Sequence, residues 1–175
     1  MGLDHLPAAS ALRLFPISPA CDPPTAARLQ AALDKLFAQF AREARLTAWG
    51  STLLASGGVL AVAWQAPDTL SGCSHDRLAR LLSHFEDDQR RILNAPPMVI
   101  EASPRAADGR TPSLEEAVVV CCDRSGLRRL LSDGRVNADS LVWNLQVATL
   151  AALFQDCRRP LADHPLGMRM LPHVL

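Results

Sequence analysis

The segment CDPPTAARLQAALDKLFAQFAREA, residues 21–44, constrains the chain more than any other. Leu29, Leu33, Leu36, Phe37, Phe40 and Ala44 recur at spacings of three and four, the period of one helical face. Asp22 is placed to cap this helix and Pro23 stands at its first position, so a helix over roughly 23–45 is expected. Its apolar stripe must be covered, and the segments on either side offer strands to cover it. Residues 11–17 (ALRLFPI) read as a short strand, with Pro16 marking an edge or an end. Residues 49–55 and 59–64 are two apolar runs around Ser56-Gly57-Gly58, and the glycine pair supplies the positive φ of a tight hairpin.

A second helix is expected just after SGCS, residues 71–74. Leu78, Leu81, Leu82, Phe85, Ile92 and Leu93 form its stripe, and Asn94 with Pro96-Pro97 stops it. The arginines Arg77, Arg80 and Arg91 read as its solvated face. Residues 98–102 (MVIEA) and 116–122 (EAVVVCC) read as strands, the second as central because its apolar run is unbroken. The connection between them, SPRAADGRTPS, reads as a loop or a wide hairpin. A short helix closed by Gly134, a short strand within NADSLVWN and a last helix in VATLAALFQD follow. The tail from Cys157 on holds too much proline for a regular element. Strand–helix–strand–strand–helix–strand is the ferredoxin-like order, one antiparallel sheet with both helices on one face. The expected class is α+β, a single domain over 1–175 with its core at about 11–122 and a C-terminal extension of strand and helices at about 123–175.

Charge and cysteine usage narrow the function. Lys and Arg total 18, as do Asp and Glu, so no basic surplus advertises nucleic acid. No apolar stretch reaches the ~18 residues of a membrane span, and the first residues lack the basic-then-apolar pattern of a signal peptide. A cytoplasmic protein with its five cysteines reduced is expected.

Residues 69–76, TLSGCSHD, contain the LSG of an ABC transporter signature. That signature works only beside a P-loop, G-x-x-x-x-G-K-[ST], and the single lysine, Lys35, follows no glycine. An ATPase is excluded. The stretch joins a strand to a helix, with Ser74 as the natural N-cap, Asp76 in the first turn and Gly72 at the bend. It is either a helix start alone or an anion-binding turn, in which Ser71 and Ser74 add donors to the free backbone N–H groups. Cys73 would lie at the positive end of the helix, where a thiol is activated, and His75 adjoins it. Neighbours at a helix start seldom face each other, so a base would come from His84, His164 or His173.

Other sites read more plainly. Cys121 and Cys122 are adjacent in a strand and face opposite sides, so they do not converge on a metal, and no C-x-x-C or H-x-x-x-H occurs. No metal or cofactor is expected. Trp49, Trp64 and Trp143 read as packing residues, and Arg128 and Arg129 could extend a basic face.

The stretch through VLAVAWQ to SGCSHD resembles an uncharacterised bacterial family, mainly of Bacteroidetes, with an SGCS-x-D motif before an amphipathic helix. Its members are often mislabelled ABC transporter ATPase. LRRLLSDGRVNADSLVWN is similar to a later motif of that family, so the likeness spans about residues 12–145. The resemblance places the family motif on Ser71, Gly72, Cys73, Ser74 and Asp76, with His75 where an aliphatic residue is usual, and the later motif on Asp139 and Asn144. It implies a fold order and a site location, and no reaction. GRVNADSLVWN is also similar to a motif of GYF-like modules, which bind peptides.

Two functions follow as expectations. One is a non-enzymatic domain that binds a small anion or a protein through the SGCSHD loop (Ser71, Gly72, Cys73, Ser74, His75, Asp76), with Trp143 and Asn144 closing over it. The other is a cysteine-dependent enzyme, a thiol transferase, hydrolase or peroxide reductase, with Cys73 as nucleophile.

Overall fold

The computed structural model describes residues 2–102 and 111–171; most of the 103–113 connection, and His173, lie outside the described residues. The chain runs β1 (Ala11–Pro16), α1 (Pro23–Arg42), β2 (Ala48–Leu54), β3 (Val59–Gln65), α2 (Gly72–Ser83), β4 (Met98–Glu101), β5 (Val119–Cys122), α3 (Arg124–Ser132), β6 (Leu141–Trp143), α4 (Leu150–Asp156), β7 (Arg158–Pro160) and α5 (Pro165–Met170). The class is α+β with two antiparallel sheets.

The α1 helix forms as its sequence dictates. Asp22 caps it, accepting from the Thr25 N–H at 2.8 Å and from the Thr25 hydroxyl at 3.0 Å. It stops at Arg42, short of the expected 45, because Ala44 turns left-handed at φ 55° and becomes exposed instead of joining the stripe. Leu29, Leu33, Phe37 and Phe40 are buried against Leu60, Val62 and Trp64 of β3. The β2–β3 hairpin turns through three positive φ values, Ala55 at 51°, Ser56 at 49° and Gly57 at 88°. A Cβ on Gly57 would stand 2.8 Å from the Cys21 carbonyl oxygen, so glycine meets both a backbone and a space demand there.

The run VLAVAWQ explains the layering. In β3, Leu60, Val62 and Trp64 face the helices, while Val59, Ala61 and Ala63 face the other way. Small residues on that second face let another sheet approach. The first sheet has the order β1-β3-β2; the second has the order β5-β4-β6-β7. Val99 and Trp143 of the second sheet pack on the small face of β3. Met98, Ile100 and Val142 point away and are covered by Leu127, Leu130 and Leu131 of α3 and by Met170 of α5. The layers are therefore helices, sheet, sheet, helices, and Leu150 and Leu153 of α4 pack into the seam between the sheets.

The ferredoxin-like expectation holds for β1–α1–β2–β3–α2 and fails at β4. A closed ferredoxin-like sheet would place β4 beside β1; here β4 pairs with β5 and β6. The apolar second face of β3 needs a cover, and β4 goes there. The second sheet includes strands from both sides of residue 122, so the expected extension contributes to the same core.

Three local expectations change as well. β5 is an edge strand, and it is apolar because both faces pack: Val119 lies against Gly58, while Cys122 lies beneath α3. α2 ends at Ser83, not Asn94, because carboxylates capture the following amides. Glu86 Oε1 accepts from the N–H groups of Ile92 (2.8 Å) and Leu93 (2.9 Å), and Asp87 Oδ1 accepts from Gln89 (2.9 Å) and Arg90 (2.6 Å). The proline-rich tail is ordered into β7 and α5, with Pro165 at the first position of its helix, where a missing N–H costs nothing.

Candidate functional site

The SGCSHD loop opens α2. Ser71, not Ser74, is the N-cap: its Oγ accepts from the Ser74 N–H at 3.4 Å. Ser74 is the third residue of the helix and is fully buried. Arg45 Nη1 donates to both hydroxyls, Ser71 Oγ at 3.1 Å and Ser74 Oγ at 3.0 Å. Glu43 fixes that guanidinium through Arg45 Nε at 2.7 Å and also accepts from Arg77 Nη1 at 3.0 Å. The Arg77 hydrogen bond, with both arginine charges, holds the Glu43 carboxyl below its ordinary range. Arg77 lies 4.7 Å from the centre of the Phe40 ring. The serines thus belong to a polar clasp between the end of α1 and the start of α2. Sequence reasoning missed Arg45 and Glu43 because they stand 26 or more residues from the motif, in what reads as the frayed end of a helix.

Gly72 and Cys73 are exposed at the first turn, with open space where a Gly72 side chain would be. Among the described residues Cys73 has no hydrogen-bond partner, and no histidine reaches it. His84 Nδ1 lies 2.6 Å from the Arg80 carbonyl, His164 Nδ1 accepts from the Leu166 N–H at 3.2 Å, and His5 Nε2 lies 3.0 Å from the Trp49 carbonyl. His75 turns inward and meets Trp64 edge-on with ring centres 5.9 Å apart. Its Nδ1 is buried without a partner. Burial pushes its pKa down, the Arg13 charge adds to this, and Asp76 opposes it. The nucleophile-and-base pair needed for a cysteine enzyme is not assembled among the described residues.

The other thiols are packing groups. Burial, helped by the neighbouring Cys122, pushes Cys121 up to about 11, and burial with Asp123 does the same to Cys122. Among the described residues no three His, Cys, Asp or Glu side chains gather to hold a metal ion, and no helix is long and apolar enough to cross a membrane. Of the arginines read as a solvated face, Arg77 is in the clasp and Arg91 donates to the Asp87 carbonyl at 2.9 Å.

Trp143 and Asn144 do not close over the loop. His75 and Trp64 lie on the helical side of the first sheet; Trp143 lies in the seam between the sheets, with β3 separating them. Trp143 Nε1 donates to the buried Glu101 at 3.1 Å, and Arg158 meets the same carboxylate at 3.3 Å. The Asn144 N–H donates to the Cys157 carbonyl at 2.7 Å.

Instead, Trp143 and Asn144 line a groove of about 480 Å³. Its floor is β1 at Leu14, Phe15 and Pro16; one wall is the 92–97 segment and the other is the end of β6 with Arg159 and His164. A second hollow of about 360 Å³ continues it along β1, sharing Leu14, Phe15, Leu145 and Gln146 and adding Arg13. Leu93 on its wall is 39% exposed. No sequence signal marks this groove, since its floor at Leu14–Pro16 and its walls at 92–97 and 142–146 are brought together from distant parts of the chain.

No protein-family model, no curated protein and no solved structure matches the chain.

Proposed function

We propose that this protein is a non-enzymatic binding domain whose partner is a protein segment held in the groove between β1 and the end of β6. The observation that carries this reading is the concave surface itself. Its lining mixes apolar side chains, Leu93 and Leu145 among them, with polar groups at Asn144, Gln146, Arg159 and His164 in about equal measure. Concave sites where apolar side chains and polar groups converge are where protein surfaces hold ligands. In this reading the SGCSHD loop serves the groove indirectly, by fastening α2 to α1 through Arg45, Ser71 and Ser74.

A second reading keeps the loop as a small-anion site. It rests on the exposed first turn at Gly72 and Cys73 standing beside the half-exposed Arg45 guanidinium. Titration with inorganic phosphate separates the two, because only the second predicts saturable amide shifts at Gly72 and Cys73.

The groove is tested by selecting displayed random peptides on immobilised wild-type protein and on Leu93→Ser. Enrichment on wild type that is lost on Leu93→Ser supports it; enrichment unaffected by Leu93→Ser, or none at all, sinks it. The enzyme alternative is tested by alkylation. Rapid labelling of Cys73 at pH 6, while the other thiols stay unmodified, would revive Cys73 as a nucleophile and overturn the non-enzymatic assignment.

A further inference from the structure

The floor of the groove is an open sheet edge. β1 pairs with β3 on one side, Ala11 opposite Trp64 through Pro16 opposite Val59. In an antiparallel ladder, alternate residues direct their N–H and C=O groups to opposite sides. The Ile17 N–H donates to the Gly58 carbonyl at 2.8 Å, toward β3. The Leu12 N–H donates outward instead, to the Ala148 carbonyl at 2.9 Å. Leu14 shares the parity of Leu12, so its N–H and C=O also face outward, into the groove. The 147–150 segment runs alongside β1 only briefly. Thr149 bridges Ala11, and the Leu150 N–H donates to the Ser10 carbonyl at 3.1 Å. Beyond that point the two chains splay apart, leaving the hollows between them. Among the described residues the Leu14 N–H and C=O have no hydrogen-bond partner.

Charge selects the occupant. The side chains lining the two hollows include Arg13, Arg159 and His164 and no Asp or Glu. Arg13 and Arg159 are both exposed, and among the described residues neither makes a salt bridge. A main chain that supplies donors and acceptors to Leu14 and carries carboxylates to these arginines meets both demands.

We propose that the groove takes an extended, acidic segment of a protein partner, which adds as a strand to the outer edge of β1 at Leu14, with its carboxylates on Arg13 and Arg159. Strand addition gives affinity through the main chain and specificity through alternate side chains. Leu93 and Leu145 would receive the apolar side chains of such a segment. This inference rests on the groove reading above and adds to it the conformation and charge of the occupant.

The probe is a nine-residue synthetic peptide alternating Glu with Val and Thr, titrated into isotope-labelled full-length protein. Its controls are the same peptide with Lys for Glu, and the acidic peptide N-methylated at alternate amides. The expected result is saturable binding of the acidic peptide with hydrogen exchange at the Leu14 amide slowed at least about tenfold, as a new backbone hydrogen bond requires. Binding should weaken by about tenfold or more for the N-methylated peptide, and likewise for Arg13→Glu/Arg159→Glu, two exposed positions where folding is not at stake. Equal binding of the acidic and basic peptides overturns the charge assignment. Binding that shifts Asn144 and Leu145 but leaves Leu14 exchange unchanged overturns strand addition while leaving the groove as a binding site. Absence of any shift in the groove with all three peptides overturns the inference; the groove reading then stands or falls on the displayed-peptide selection.

Discussion

Ala61→Leu tests the two-sheet stack directly. Ala61 is fully buried on the face of β3 turned toward the second sheet, with Leu14 and Thr52 opposite it on the flanking strands. In a single ferredoxin-like sheet with helices on one face only, that side of β3 would meet solvent, and a leucine there would be neutral or slightly stabilising. In the stack, the three added carbons have no room. Burying them is worth about 0.8 kcal/mol each, yet overpacking a close-packed interior still leaves a net loss of about 1–3 kcal/mol. With a urea m-value of about 2 kcal/mol/M, the midpoint should fall by roughly 0.5–1.5 M without a change in slope. Ala31→Leu, on the exposed side of α1, is the control and should stay within about 0.5 kcal/mol of wild type. A midpoint for Ala61→Leu equal to or above wild type would refute the second layer on β3.

Further measurements probe the polar interior and the surface carboxylates. Arg158→Met leaves the buried Glu101 carboxylate, among the described residues, with only the Trp143 N–H, and should cost about 3 kcal/mol; the double variant Glu101→Leu/Arg158→Met should be more stable than the single, so a strictly additive urea result would deny the coupling. Asp22, Glu86 and Asp123 are held below their ordinary pKa values, chiefly by the N–H groups of Thr25, Ile92 and Gly126 respectively, as is Glu43 by Arg77. The folded chain therefore binds fewer protons than the unfolded chain in acid, so this stabilisation is complete above about pH 4.5 and is lost as pH falls through the depressed values. Urea midpoints taken from pH 6 down to pH 3 should decline, and Glu86→Gln should flatten part of that decline; a flat wild-type profile would contradict it. At pH 8 Cys73 should be alkylated first and Cys121 and Cys122 only on unfolding, since Cys73 is exposed and burial pushes the other two up to about 11; mass spectrometry of the native protein reads the order.

What could be read from the sequence was local. Asp22 and the 29–40 stripe carry their signal within a few helical turns and form as expected; the hairpin forms too, but its positive φ values fall on Ala55, Ser56 and Gly57, while Gly58 is right-handed at φ −85°. The edge position of β5 could not be read, because an apolar run reports burial of both faces and says nothing about lateral neighbours. The alternation of large and small residues in VLAVAWQ does carry the second sheet, but only once each side of β3 is assigned a different covering layer. Within the SGCSHD loop, the helix start was legible and the clasp that holds it was not. Ser74 reads as a cap by type, yet its hydroxyl accepts from Arg45, 29 positions away. Trp143 and Asn144 were expected to close over the loop; they border a groove built with β1 instead.

The displaced fourth strand and the open edge have one origin. After α2 the chain must pass from the helical layer to the second sheet, and it crosses at the end of β1. There Ser18 and Arg91 exchange two backbone hydrogen bonds of 2.9 and 2.7 Å, and Ile92 sinks into the core under α1. Glu86 winds the crossing segment tightly enough to make this turn, and Arg90 pins it to Asp22 at 2.9 Å. The path that takes β4 to the second sheet is thus the same path that, among the described residues, leaves the outer edge of β1 unpaired between Leu12 and Ser18. An exposed edge of that kind invites indiscriminate pairing unless it is blunted. Here it is recessed between two walls, ends at Pro16, which offers no N–H, and is flanked by arginines. Those features would repel a flat or basic strand while leaving room for a single extended acidic one, so the device that protects the edge from aggregation also defines what it can bind.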